Sequence, residues 1–105
     1  MNSCYRFFMT LANPLRMRVI LTLEKKQYSV LELSKKLKVE QSKLSHALSL
    51  LRKCNIVQSK IMGKQRLYSL NKETIVPMLK NFGKHRRKYC RECKKYRTIR
   101  REAIR

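Results

Sequence analysis

Hydrophobic residues recur along this chain at two different periods. Tyr5, Phe8, Met9 and Ala12 stand at i, i+3, i+4 and i+7, the spacing that lines one face of an α-helix. Cys4, Phe7 and Leu11 add apolar groups beside that face, so this first helix asks for burial on two sides. One short domain supplies only one of them, which points to a partner subunit. Pro14 punctuates and opens a second helix, where its missing N–H is not needed. Leu15, Val19, Ile20 and Leu23 form the inner face of that helix. Ser29-Val30-Leu31-Glu32 reads as a capping box that starts a third helix, continued by Leu33 and Leu37. After Lys38-Val39, Leu44, Ala47, Leu48 and Leu51 repeat the helical spacing in a fourth helix expected over about residues 40–54. Gln41, Ser42, Ser45, Ser49 and Arg52 fall together on its opposite face, bordered by His46 and Lys53.

The period then changes to alternation. Ile56–Ile61 and Arg66–Leu70 are short β-prone segments around Met62-Gly63-Lys64-Gln65, where Gly63 offers a positive-φ turn position. A hairpin is expected over residues 56–70. Thr74 is the expected N-cap of a last helix, with Pro77 in its first turn and Ile75, Met78, Leu79 and Phe82 on one face. The expected fold is mainly α with a small β-hairpin. Two helices across a tight turn, followed by a hairpin, make a winged helix-turn-helix.

Charge then selects the partner. The 105 residues carry 27 Lys and Arg against 6 Asp and Glu, a formal net charge of +21. A hydrophobic content of 43% is too high for a disordered basic tail, so a core coexists with a strongly positive field. Residues 1–79 hold 15 basic and 4 acidic side chains, and residues 80–105 hold 12 and 2. The chain therefore divides into a DNA-binding domain, 1–82, and a strongly basic C-terminal helix or arm, 83–105. Double-stranded DNA is the expected anion, because a helix of this kind fits the major groove. Gln41 suits adenine, and Ser42, Ser45, His46 and Ser49 suit base edges or phosphates. Lys43 and Arg52 suit phosphates. The hairpin presents Lys60, Lys64, Gln65 and Arg66 to the backbone or minor groove.

The same arithmetic excludes other classes. Six carboxylates, two histidines and two glycines offer no nucleophile–base pair, paired acids or phosphate loop, so no enzyme is expected. Arg16 and Arg18 cut the apolar stretch 7–23 short of a membrane span, and no export signal is read, so a cytoplasmic, nucleoid-associated protein without membrane attachment is expected. No aromatic platform suits single-stranded RNA. The alternative within DNA binding is an architectural protein of little sequence preference, since charge alone gives sequence-independent affinity.

Five segments in register resemble a known family. Leu11-Ala12-Asn13-Pro14-Leu15-Arg16-Met17-Arg18-Val19-Ile20 is similar to the opening signature of the ArsR-type (arsenic-repressor) winged-helix regulators. Val30–Leu37 resembles their third helix, Gln41–Leu48 their recognition helix, Leu51–Val57 its exit and Gly63–Leu70 their wing. The resemblance covers about residues 5–80. It implies a homodimer formed by the first and last helices and a transcriptional regulator, most often a repressor. Metal-sensing members carry Cys-Val-Cys at the start of the third helix, where this chain has Ser29-Val30-Leu31, so thiolate sensing at that place is not implied. Their recognition helix usually begins with Ser or Thr, where this chain has Glu40, a weaker cap.

His85, Cys90 and Cys93 form an H-x4-C-x2-C pattern, half of a zinc site with a usual third ligand. Cys4 is the candidate fourth ligand. In one straight helix His85 and Cys93 stand about 12 Å apart along the axis, so a site requires a break near Lys88. The competing reading is a continued helix in which Ile75, Leu79, Phe82, Tyr89, Cys93 and Tyr96 form a seam and Cys93 is a small buried residue. Cys54 reads as a core thiol beside Ile56.

Overall fold

The computed structural model describes residues 2–90 of the chain. Their order is α1 (Asn2–Leu11), α2 (Pro14–Leu23), β1 (Tyr28–Ser29), α3 (Val30–Leu37), α4 (Gln41–Lys53), β2 (Val57–Met62), β3 (Gln65–Leu70) and α5 (Ile75–Lys88). This is the expected winged helix-turn-helix, with one strand added. Tyr28 and Ser29 pair antiparallel with Tyr68 and Leu67, giving a three-stranded sheet of order β1-β3-β2. The division at residue 82 falls inside α5, which continues to Lys88.

Each helix start has a local cause. Asn13 caps α2 by accepting the Arg16 amide at 3.0 Å, with Pro14 at the first helical position. The capping box of α3 is complete: the Glu32 amide donates to Ser29 Oγ at 3.1 Å, and the Ser29 amide donates to Glu32 Oε1 at 2.9 Å. That bond from the Ser29 backbone, more than any other contact, holds the Glu32 carboxyl below its ordinary pKa. Thr74, in contrast, makes no side-chain cap. Asn71 replaces it. Its Oδ1 accepts the Glu73 and Thr74 amides at 3.0 and 3.3 Å, and its carbonyl accepts the Ile75 amide at 3.0 Å. An Asx side chain bonds the backbone two residues on better than Thr does, and Asn71 sits where the hairpin ends.

The core gathers buried apolar side chains from every element except α1, whose half-buried Phe7 and Leu11 pack against it. Val19, Ile20, Leu33, Leu44, Leu51 and Ile56 are fully enclosed, and Leu37, Leu48, Val57, Leu70 and Ile75 nearly so. Burying one such side chain contributes about 1.5–3 kcal/mol. The fourth helix spends its four inward positions, Leu44, Ala47, Leu48 and Leu51, on this core and leaves the rest of its circumference to water.

Two arginines lock the helices together. Arg16 Nε donates to the Thr10 carbonyl at 2.7 Å, satisfying the open end of α1. Arg18 Nη2 donates to the Leu37 carbonyl at 2.8 Å and does the same for α3. Lys38 then takes a left-handed conformation, φ 57°, and Ser34 Oγ donates to the Val39 carbonyl at 2.7 Å. The turn between α3 and α4 is thereby held from both sides.

Candidate nucleic-acid interface

The candidate interface lies on α4, whose orientation is fixed by the buried leucines and the braced turn before it. Gln41, Ser42, Lys43, Ser45, His46, Ser49 and Arg52 are all exposed. None of these side chains forms a hydrogen bond or ion pair with another described residue. Their donors and acceptors are therefore open to an outside partner. Glu40 precedes them at the N-cap position and makes no side-chain cap, as expected from its chemistry.

The wing stands beside this helix. β2 and β3 pair in strict register from Val57 with Leu70 to Met62 with Gln65, leaving Gly63 and Lys64 as a two-residue turn. Gly63 has φ +63°, the conformation such hairpin turns demand and side chains resist. Lys60, Lys64, Gln65 and Arg66 are exposed along the tip. Arg66 Nη1 donates to Ser59 Oγ at 3.0 Å, which orients the guanidinium across the inner strand face. An open groove lined by Ser49, Arg52, Lys53, Asn55, Gln58 and Ser59 joins the end of α4 to the wing. Every sequence-predicted residue of the recognition face and the wing thus lies on exposed surface, on two elements joined by that polar groove.

The start of α2 lies beside this face. Asn13, Leu15 and Arg16 line a second open cleft with Ser42, Lys43 and His46. In the sequence Asn13 stands only within the segment that resembles the family and Arg16 only breaks an apolar stretch, so this proximity was not foreseen. Nothing in the local pattern announces it, because it depends on how α2 crosses α4.

The cysteines and histidine do not converge among the described residues. No group of three His, Cys, Asp or Glu side chains there is placed to hold a metal ion. Cys4 and His85 are exposed and Cys90 is half-buried, while Cys93 lies outside the described residues, so the full pattern is not on view. At the third-helix position, Ser29 is committed to its cap. The continued-helix reading is corrected: α5 ends at Lys88, Tyr89 is its C-cap, and the Tyr89 and Cys90 amides both donate to the His85 carbonyl. Four basic residues, His85 to Lys88, fill the last turn, where the helix dipole favours positive charge. Tyr89 therefore stands outside the helix, and the Cys93 and Tyr96 part of the seam lies outside the described residues. Cys54 is also corrected. It is exposed at the end of α4, with Thr10 Oγ1 3.9 Å from its sulfur. Asn55 turns the chain through φ 54°, and Ile56 enters the core instead.

On the far side, α1, α2 and α5 enclose an apolar groove of about 240 Å³ lined by Phe8, Leu11, Met17, Met78, Leu79 and Phe82 among others. Tyr5, Phe8, Met9, Met78 and Phe82 remain largely exposed around it. No helix among the described residues is long and apolar enough to cross a membrane.

Comparison with known proteins follows the same outline. A family model for bacterial regulatory proteins of the arsR family matches residues 13–59, from the cap of α2 into β2. A transcriptional repressor SmtB homolog from Synechocystis is 30% identical over 79 residues, 75% of this chain and 60% of that protein. A biofilm growth-associated repressor from Agrobacterium fabrum is 41% identical over 61 residues, 58% of this chain and 52% of that protein. The chain therefore spans little more than half the length of these curated relatives. The crystal structure of Rv0081 from Mycobacterium tuberculosis superposes with a TM-score of 0.73 at 33% identity, covering 79% of this chain and 84% of that one. Over the helix-turn-helix and the first residues of the wing, the chain is thus similar to the arsR family of bacterial regulatory proteins.

Proposed function

We propose that this chain is a dimeric, sequence-specific DNA-binding repressor of transcription, cytoplasmic and associated with the nucleoid. One observation carries the reading. The outward face of α4 presents Gln41, Ser42, Ser45, His46 and Ser49 exposed and without internal partners, beside a basic wing. Short polar groups of mixed donor and acceptor character discriminate base edges, whereas a row of lysines would not. Lys43, Arg52, Lys60, Lys64, Gln65 and Arg66 flank them as backbone contacts. The names of the two curated relatives, both repressors, support the direction of regulation. The groove between α1 and α5, with its exposed aromatic and methionine side chains, supports a homodimer through those helices. Two copies then present two α4 helices to successive half-sites about one helical turn apart.

The net charge of +21 favours a second reading, an architectural protein indifferent to sequence. Selection of a preferred site from a random duplex pool, followed by competition with unselected duplex at physiological salt, separates the two. Preference for the selected site by about 10³-fold or more is expected of a regulator. A ratio near one removes that reading.

Zinc on His85, Cys90, Cys93 and Cys4 remains part of the proposal. The end of α5 at Lys88 supports it, since the straight helix that kept these residues apart is absent.

A further inference from the structure

We propose that the tip of the wing is an apolar wedge that enters the DNA minor groove and bends the duplex. The inference rests on the DNA-binding reading above and adds a residue-level mechanism to it. Ile61 and Met62 are 67% and 50% exposed at the end of β2, side by side at the tip of a hairpin. Alternation along the strand explains their placement. Val57, Tyr68 and Leu70 lie on the inner face of the hairpin and are buried. Ile61 continues that face beyond the body of the domain, where no other element meets it. Met62 falls on the opposite face. Each face of the tip therefore carries one exposed apolar side chain, Ile61 beside Arg66 and Met62 beside Gln65.

The surroundings identify the occupant. Lys60, Lys64, Gln65 and Arg66 surround the two side chains and are exposed. A protein or lipid site would place apolar groups in a broad patch, whereas here two stand alone within a basic collar on a strongly positive chain. The minor groove has the complementary arrangement: walls of sugar C–H groups, with a phosphate on each rim. Its width is about 6 Å, less than the roughly 10 Å that a sheet with side chains on both faces occupies. An edge-on hairpin sets Ile61 against one wall and Met62 against the other, with the cations reaching the rims. Two side chains must widen the groove to fit, and apolar wedges of this kind bend DNA toward the major groove.

The test uses the full chain and an end-labelled duplex of mixed sequence of about 30 base pairs, read by energy transfer between its ends. The parent chain is expected to bind and to shorten the end-to-end distance. The Ile61→Ser/Met62→Ser variant is expected to bind about tenfold or more weakly, since apolar contact is lost. Its dependence of log affinity on log salt stays unchanged, because no phosphate contact is removed, and the shortening disappears. Lys64→Gln is expected to do the converse, lowering the salt slope by about 1 while the shortening remains. Both wedge residues are exposed, so melting temperature is the folding control. A double variant that binds and shortens the duplex as the parent does overturns the inference, and so does one that changes oligomeric state while DNA binding stays intact. A parent chain that ignores the duplex removes the DNA-binding reading itself, which is a different result from either.

Discussion

Phe82→Ser tests the dimer and, through it, the geometry of recognition. Phe82 is 49% exposed on α5, at the groove shared with Phe8 and Met78. A Phe side chain offers about 200 Å², so roughly 100 Å² of this one faces solvent in the single chain. A two-fold interface uses every residue twice, which brings the area removed from water to about 200 Å². At 25 cal/mol per Å² the pair contributes at most about 5 kcal/mol to association. Imperfect burial and ordering of the side chains reduce that figure, and about 2–4 kcal/mol is the expected loss. The dimer dissociation constant should therefore rise by about 30- to 1,000-fold. Serine leaves the net charge at +21, so self-repulsion between subunits does not change with the substitution. Sedimentation equilibrium over a range of concentrations gives the constant, and thermal unfolding under the same conditions checks the fold. DNA affinity should fall in parallel, because a monomer carries one α4. A dissociation constant within about threefold of the parent, at unchanged melting temperature, would refute the assignment of this face to the interface.

Other consequences follow from single sites. Ser29→Ala removes the α3 cap and should cost about 1 kcal/mol in denaturant unfolding, with Glu32→Gln adding little in its presence because the two act as one unit. The Glu32 pKa is lowered in the folded chain, so its contribution is complete above the ordinary carboxylate range and is lost as pH falls through the lowered value. Stability measured from neutral to acidic pH should show that loss, and Glu32→Gln should not. Gln41→Ala should relax base preference at one position by about 1–3 kcal/mol while leaving the salt slope unchanged, as read by binding to a panel of single-base variants of the selected site. Deleting residues 91–105 removes seven Lys and Arg and two Glu, and should reduce the salt slope by up to about 6 while preserving site preference. Elemental analysis of purified protein should find one zinc per subunit, lost in Cys90→Ser; a metal-free folded parent would leave the pattern without a ligand role.

Much of this architecture was legible because local chemistry and long-range packing agree in it. The capping box at Ser29 and Glu32, the glycine turn at Gly63 and the leucine spacing of α4 each state in the sequence what the fold confirms. What escaped was non-local or had two local solutions. β1 is two residues long, and Tyr28 becomes a strand only because β3 lies beside it. Thr74 was the expected cap, and Asn71 at the hairpin exit takes that role instead. The run from Ile75 to Tyr96 held helical spacing past Lys88, while the basic last turn that marks the end read simply as charge. Arg16 and Arg18 showed only as interruptions of an apolar stretch, whereas each satisfies the carbonyl end of another helix. The exposed polar face of α4 was plain at 100° per residue. The cleft that joins Asn13 and Arg16 to Ser42 and His46 was not, since it arises from the crossing of two helices.

The absence of internal hydrogen bonds on the outward side of α4 has a consequence for how such a protein changes over generations. Gln41, Ser42, Ser45, His46 and Ser49 hold nothing together among the described residues, while Leu44, Ala47, Leu48 and Leu51 on the same helix hold a great deal. If the first set reads bases as proposed, substitutions there alter what is read at little cost to folding, since exposed positions without partners usually shift stability by less than about 0.5 kcal/mol. Target preference can therefore drift, or be redesigned, one base contact at a time, on a scaffold that does not register the change.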